Sequence, residues 1–270
     1  IEPLVLIATV SLTPGILAVI VGGIFSMMNF LQVFEPSLNY NALLMKNLVM
    51  FFGHTQANII LYVCLGWVYT LLPEFTGRKI KTNKLLVIAW VATFFFITLA
   101  FFHHMYMDFG QPKALQYTGQ IISYFSAIPA TAVSIFKVIS QVYRSKVKWG
   151  VIPLSFLLGV AGWAIGGFSA VVDSTIAVNK VLHNTLWVPA HFHTYLLGGV
   201  VLFILGFLFY ISHTKEEQYS SRIGRIGFWT FIIATHAFIS MFFLGGVNSV
   251  PRRFADYKAI NTFSVHDNGV

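Results

Sequence analysis

The sequence predicts an all-α integral membrane protein with seven transmembrane helices, a single membrane domain over residues 1–270. Three observations carry this. Hydrophobic residues make up 57% of the chain and charged residues only 10%, far from soluble-domain composition. Apolar runs of about 20 residues, the length that crosses hydrocarbon, recur near 4–30, 42–72, 84–104, 116–143, 150–175, 189–212 and 224–248. The basic residues fall in the short connections between these runs, not along one face.

The first run, 4–30, carries no charge. The second, 42–72, holds His54 and, further on, Cys64. A lone cysteine excludes a disulfide framework. The third, 84–104, ends on His103-His104. The fourth and fifth, 116–143 and 150–175, contain Pro129 and a glycine-rich stretch, which helix bundles in lipid tolerate. The sixth, 189–212, opens on His191-Phe192-His193, and the seventh, 224–248, is followed by Val-Pro-Arg252-Arg253. No second domain, soluble linker or low-complexity tract interrupts them. The chain begins Ile-Glu-Pro without Met, ends just past a helix and shows no signal peptide, so it is expected to be part of a longer subunit.

The net charge of +8 suits lipid headgroups; with no basic face, it gives no case for nucleic acid. Arg78, Lys79, Lys81 and Lys84 share one loop, Arg144, Lys146 and Lys148 a second, and Lys215, Arg222 and Arg225 a third. These are alternate loops, so they lie on one side, the cytoplasmic side by the positive-inside rule. The opposite side receives His103-His104, His183 and the 250–258 segment.

An imidazole beside hydrocarbon needs a partner, and a metal is a common functional one. Residues two apart on a helix differ in direction by about 200°. His191 and His193 therefore point to opposite sides of one helix and suit two large cofactors flanking it better than one small ion. His213, His236 and His266 match no motif and are expected to serve in loops or packing.

The motifs come in a fixed order: Phe-Phe-Gly-His54-Thr-Gln-Ala-Asn58, then Phe-Phe-His103-His104, then His183-Asn-Thr-Leu-Trp-Val-Pro-Ala-His191-Phe-His193, then Val-Pro-Arg252-Arg253. This series resembles the catalytic subunit I of the haem-copper oxidase superfamily, most closely its B-type branch. The resemblance covers nearly the whole chain, which would correspond to helices five to eleven of a subunit with twelve or more. It implies a copper ion on His54, His103 and His104. It implies two haems, a high-spin haem iron on His191 and a low-spin haem iron on His193, whose second axial ligand is absent from this sequence. Arg252 and Arg253, with His183 and Asn184, would hold the haem propionates. An acidic residue expected four before His183 is Asn179 here.

The oxygen reductases of this family carry a cross-linked Tyr four residues after the first copper histidine, which supplies an electron and a proton when the O–O bond breaks. Here that catalytic position is Asn58. Tyr62 lies two turns beyond His54, roughly 12 Å along the axis, far for a cross-link, and Tyr106 follows the histidine pair in a loop. Reducing two nitric oxide molecules to nitrous oxide needs two electrons, which two metals can give without a Tyr. The missing Tyr therefore favours nitric oxide reduction. The alternative is a terminal oxygen reductase, a cytochrome c or quinol oxidase. The better-known nitric oxide reductases carry Glu where Asn58 stands, so this chain would be a variant on the B-type scaffold.

Tyr69-Thr70 aligns with that branch's proton path, and Gln120 and Ser123 fall where its channel has hydroxyls. The runs show no carboxylate inside the membrane, which argues against a long proton-pumping path. Two other classes would leave different marks. A transporter or channel would show a midplane charged pair or an internal repeat, and neither is visible. An electron-transfer haem protein would not need His54, His103 and His104. The expected partners are lipid, the missing helices of subunit I, a second subunit delivering electrons through its own copper or haem, and a cytochrome c, cupredoxin or quinol donor. The expected location is a bacterial or archaeal plasma membrane, with the metal sites toward its outer side.

Overall fold

The computed structural model describes residues 1–108, 111–214 and 216–254. Lys215, His266 and the far part of the 250–258 segment lie outside the described residues. The described chain is helical and, among those residues, has no β-strand. The helices are α1 (Pro3–Phe34), α2 (Ala42–Thr76), α3 (Lys84–Phe96), α4 (Lys113–Val142), α5 (Val151–Ser174), α6 (Ile176–Leu182), α7 (Trp187–Tyr195), α8 (Leu202–Ser212), α9 (Glu217–Ser220) and α10 (Arg222–Val247). A π-helical segment, Leu196–Val201, joins α7 to α8 into one span.

Among the described residues, six helices are long and apolar enough to cross a membrane: α1, α2, α4, α5, the α7–α8 span and α10. The seventh expected run, 84–104, is an interrupted helix. It is helical only to Phe96, and a 3-10 turn follows over Ala100–Met105. Side chains from neighbouring helices explain the break. Ser123 of α4 donates to the Ala100 carbonyl at 3.1 Å, and Asn179 of α6 donates to the His103 carbonyl at 3.1 Å. These carbonyls are satisfied from outside, so the backbone need not continue as an α-helix.

α2 starts where the Asn41 side chain accepts from Leu44 N at 3.0 Å, and stops at Gly77, whose φ of 68° is the left-handed conformation common after helices. It runs through Pro73 and so takes in Glu74, beyond the expected end at 72. Glu74 accepts from the Tyr210 hydroxyl at 3.0 Å.

α1 packs on α2, α3 on α4, and α5 on α4, α7 and α8, while α10 lies against α7. Leu65, Val68, Trp90, Phe156, Trp163 and Phe203 fill the shared core. α5 reaches the π-helical segment through glycines: a Cβ on Gly162 would collide with the Gly198 backbone. That close approach keeps α7 and its histidines tight against α5.

The two ends of the bundle differ. At one, the Arg78 guanidinium donates to the carbonyls of Tyr143 and Arg144 at 2.7 and 2.9 Å, drawing two of the basic loops together. At the other, Thr185 and Pro251 form an isolated bridge, and Arg252 N donates to Asn184 O at 2.8 Å. That second end carries His183, Arg252 and the turn with His103 and His104.

Candidate metal centre

His54, His103 and His104 come together from α2 and the 3-10 turn, each with a ligand atom within 4.8 Å of the others. Their ring centroids are 5.3, 5.4 and 4.0 Å apart. His103 is held by Ser123 Oγ, 3.0 Å from its Nδ1. Its Nε2 is buried with no hydrogen-bond partner among the described residues. A buried imidazole nitrogen left bare beside two further imidazoles fits a metal, and three nitrogens suit copper.

A cavity of about 650 Å³ opens beside the cluster, within the range of cofactor-sized pockets. His191, Asn58, Asn184, Arg252 and Arg253 line it. His191 Nδ1 lies 3.2 Å from the Gly166 carbonyl, and His193 Nδ1 lies 2.7 Å from the Pro189 carbonyl. Each contact favours the Nδ1–H tautomer and leaves Nε2 free, so both residues could serve as metal ligands. They face opposite ways. His191 packs on Gly166 and Ser169 of α5, while His193 packs against Phe238 and Phe242 of α10.

Asn58 stands one turn after His54. Its amide Nδ2 donates to the His54 carbonyl at 2.9 Å and sits 3.0 Å from His54 Nδ1. Arg252 pairs with the Asn184 side chain, Nη2 to Oδ1 at 3.0 Å. His183 is half-buried. Burial, then the Arg252 charge, holds its imidazole below the usual range, so it is neutral near pH 7.

Ser123 is thus a partner of His103. The Gln120 side chain accepts from Ile176 N at 2.8 Å and caps α6. Thr70 bonds back to the Gly66 carbonyl at 3.0 Å, and Tyr69 is buried in the core of α2. Tyr106 donates to the Ser174 carbonyl at 3.2 Å. His213 stacks on Phe209, and His236 is exposed, its Nδ1 at 2.8 Å from the Ile232 carbonyl.

Two features escaped the sequence reading. Asp173, fully buried in the last turn of α5, lies 3.8 Å from His104 Nδ1. This corrects the expectation that no carboxylate lies inside the membrane runs; its signal was the Asp in Ala-Val-Val-Asp-Ser. Tyr195 lies one turn after His191, ring centroids 5.4 Å apart, and lines the cavity with Tyr62. Its signal is an i, i+4 spacing from His191, the same spacing that sets Asn58 after His54.

Fold and site together define a polytopic membrane protein with a three-histidine cluster, suited to a metal, facing a cofactor-sized cavity. The family described as Cytochrome C and Quinol oxidase polypeptide I matches residues 3–267. The chain belongs to this family, the subunit I family of haem-copper oxidases, in which haem and copper are the implied cofactors. It is 29% identical over 233 residues to the cytochrome c oxidase polypeptide 1 of Halobacterium salinarum, covering 85% of this chain and 38% of that protein. It is 30% identical over 227 residues to cytochrome c oxidase subunit 1 of Cereibacter sphaeroides, covering 83% and 39%. A solved structure described as a heme-copper terminal oxidase dimer shares the fold, with a TM-score of 0.67, 22% identity, and coverage of 92% of this chain and 48% of that one. The chain thus spans about two fifths of the length of these curated relatives.

Proposed function

We propose that this chain carries the reaction centre of a respiratory haem-copper gas reductase. His54, His103 and His104 hold the copper, His191 a high-spin haem iron and His193 a low-spin one. The carrying observation is the three-histidine cluster on the wall of the cavity that His191 also lines. When bound, the metals would supply electrons to a gas molecule in the cavity. The chain's own groups orient and neutralise. Arg252 and Arg253 match haem carboxylates by guanidinium geometry, and neutral His183 and Asn184 donate beside them. Electrons enter from a second subunit and a cytochrome c, cupredoxin or quinol donor, and the remaining helices of subunit I complete the low-spin site. The basic loops face the cytoplasm of a bacterial or archaeal cell, and the metal cluster lies toward the outer side.

The names of the relatives support oxygen, reduced to water, as the gas. Tyr62 and Tyr195 line the cavity, so phenols are present to give a further electron. One observation supports a second reading, reduction of nitric oxide to nitrous oxide. The neighbour of the His54 ring is the Asn58 amide, 3.0 Å away, which cannot donate an electron. Turnover of the complete complex with each gas separates the two. Rapid oxygen reduction with negligible nitrous oxide supports the first reading, and the reverse supports the second. Turnover of neither gas, with copper and haems in place, overturns both.

A further inference from the structure

Asp173 is expensive where it stands. It has no exposed surface, and neither carboxyl oxygen has a hydrogen-bond partner among the described residues. It occupies the last turn of α5, where the helix carbonyls already make the field negative. Buried charges of this kind are kept where they are paired or act on a metal. Two groups face it. Arg252 stands close enough for its guanidinium to feel the carboxylate, although burial and Arg253 affect that guanidinium more strongly. The nearer group is His104, whose Nδ1 lies 3.8 Å from Asp173 Oδ2.

We propose that Asp173 is the positioning residue of His104: its carboxylate accepts the His104 Nδ1–H and so turns Nε2 toward the copper. This rests on the copper assignment above. At 3.8 Å the separation exceeds a hydrogen bond by more than half an ångström, and among the described residues no other hydrogen bond holds the carboxylate away. Asn179 supports the arrangement by donating from one amide to the Asp173 carbonyl at 2.7 Å and the His103 carbonyl at 3.1 Å. It thereby ties the end of α5 to the 3-10 turn. His103 and His104 then differ in their second partners, with a hydroxyl on His103 and a carboxylate beside His104. A carboxylate behind an imidazole raises its basicity and fixes its tautomer.

The test uses the purified, complete complex and carbon monoxide as probe. In the reduced state, light would release carbon monoxide from a haem held by His191, and at low temperature a copper held by the three histidines would bind it. The stretching frequency of the copper-bound gas then reports donation by the imidazoles. Asp173→Ala is expected to raise that frequency and to lower copper affinity about 10- to 100-fold against a chelator. Asp173→Asn, nearly isosteric, is expected to shift in the same direction by less, and it answers alone if the Ala variant fails to accumulate. An unchanged frequency and unchanged copper retention in the variants would overturn the proposal while leaving the copper assignment intact. Absence of any copper-bound band in the unmodified complex would overturn the copper assignment and this proposal with it.

Discussion

The amide nitrogen of Asn58 lies 3.0 Å from Nδ1 of His54, one helical turn away on α2. A neutral imidazole has one lone pair, so at Nδ1 the amide and a metal compete for it. Copper bound there would release the amide into the cavity, beside the gas. Asn58→Ala is therefore expected to keep its copper against a chelator at least as well as the unmodified complex. Its turnover should fall by about tenfold or more. Copper content after dialysis and initial gas-uptake rates check this; loss of copper from the variant would show that Asn58 holds the ligand instead.

His193 packs against Phe238 and Phe242 of α10, on the face of α7 turned from His191. His193→Ala should abolish the low-spin haem spectrum and leave copper and the other haem in place. Visible and paramagnetic spectra with metal analysis read this directly. Loss of copper with both haems retained would refute the division of roles.

Ser123 Oγ serves both His103 Nδ1 and the Ala100 carbonyl. Ser123→Ala strands two buried polar groups and should cost about 1–3 kcal/mol. The expected readout is a lower thermal midpoint in detergent with faster copper loss. A variant indistinguishable in both would mean that the 3-10 turn is held by other contacts.

Gly162 faces the backbone of Gly198, where no side chain can yield. Gly162→Ala should destabilise the bundle by about 1–3 kcal/mol and shift the His191 haem spectrum, because the π-helical segment follows α7 directly. Thermal melts monitored at the haem bands check both effects, and an unchanged melt would place the tightness of this contact in doubt.

Much of the site was legible because its chemistry interrupts hydrocarbon. A His within or at the end of an apolar run stands out, and the order of His54, His103-His104 and His191-Phe-His193 carried the family. The break between α3 and the 3-10 turn was not legible, since both segments are equally apolar and the cause lies in Ser123 and Asn179 on other elements. The π-helical segment was hidden for a similar reason: Leu196–Val201 reads as helix, and only the approach of α5 reveals the altered winding. Asp173 was overlooked because it stands at the end of a run, where a carboxylate reads as a loop residue. Its burial depends on α6 and the 3-10 turn folding over it.

The most direct measurement is a count of copper and haem in the complete purified complex, unmodified and as His103→Ala. The three-histidine assignment predicts one copper and two haems per copy in the unmodified complex. The variant should keep both haems and lose the copper. An unmodified complex without copper, or a His103→Ala variant that retains it fully, would contradict the assignment.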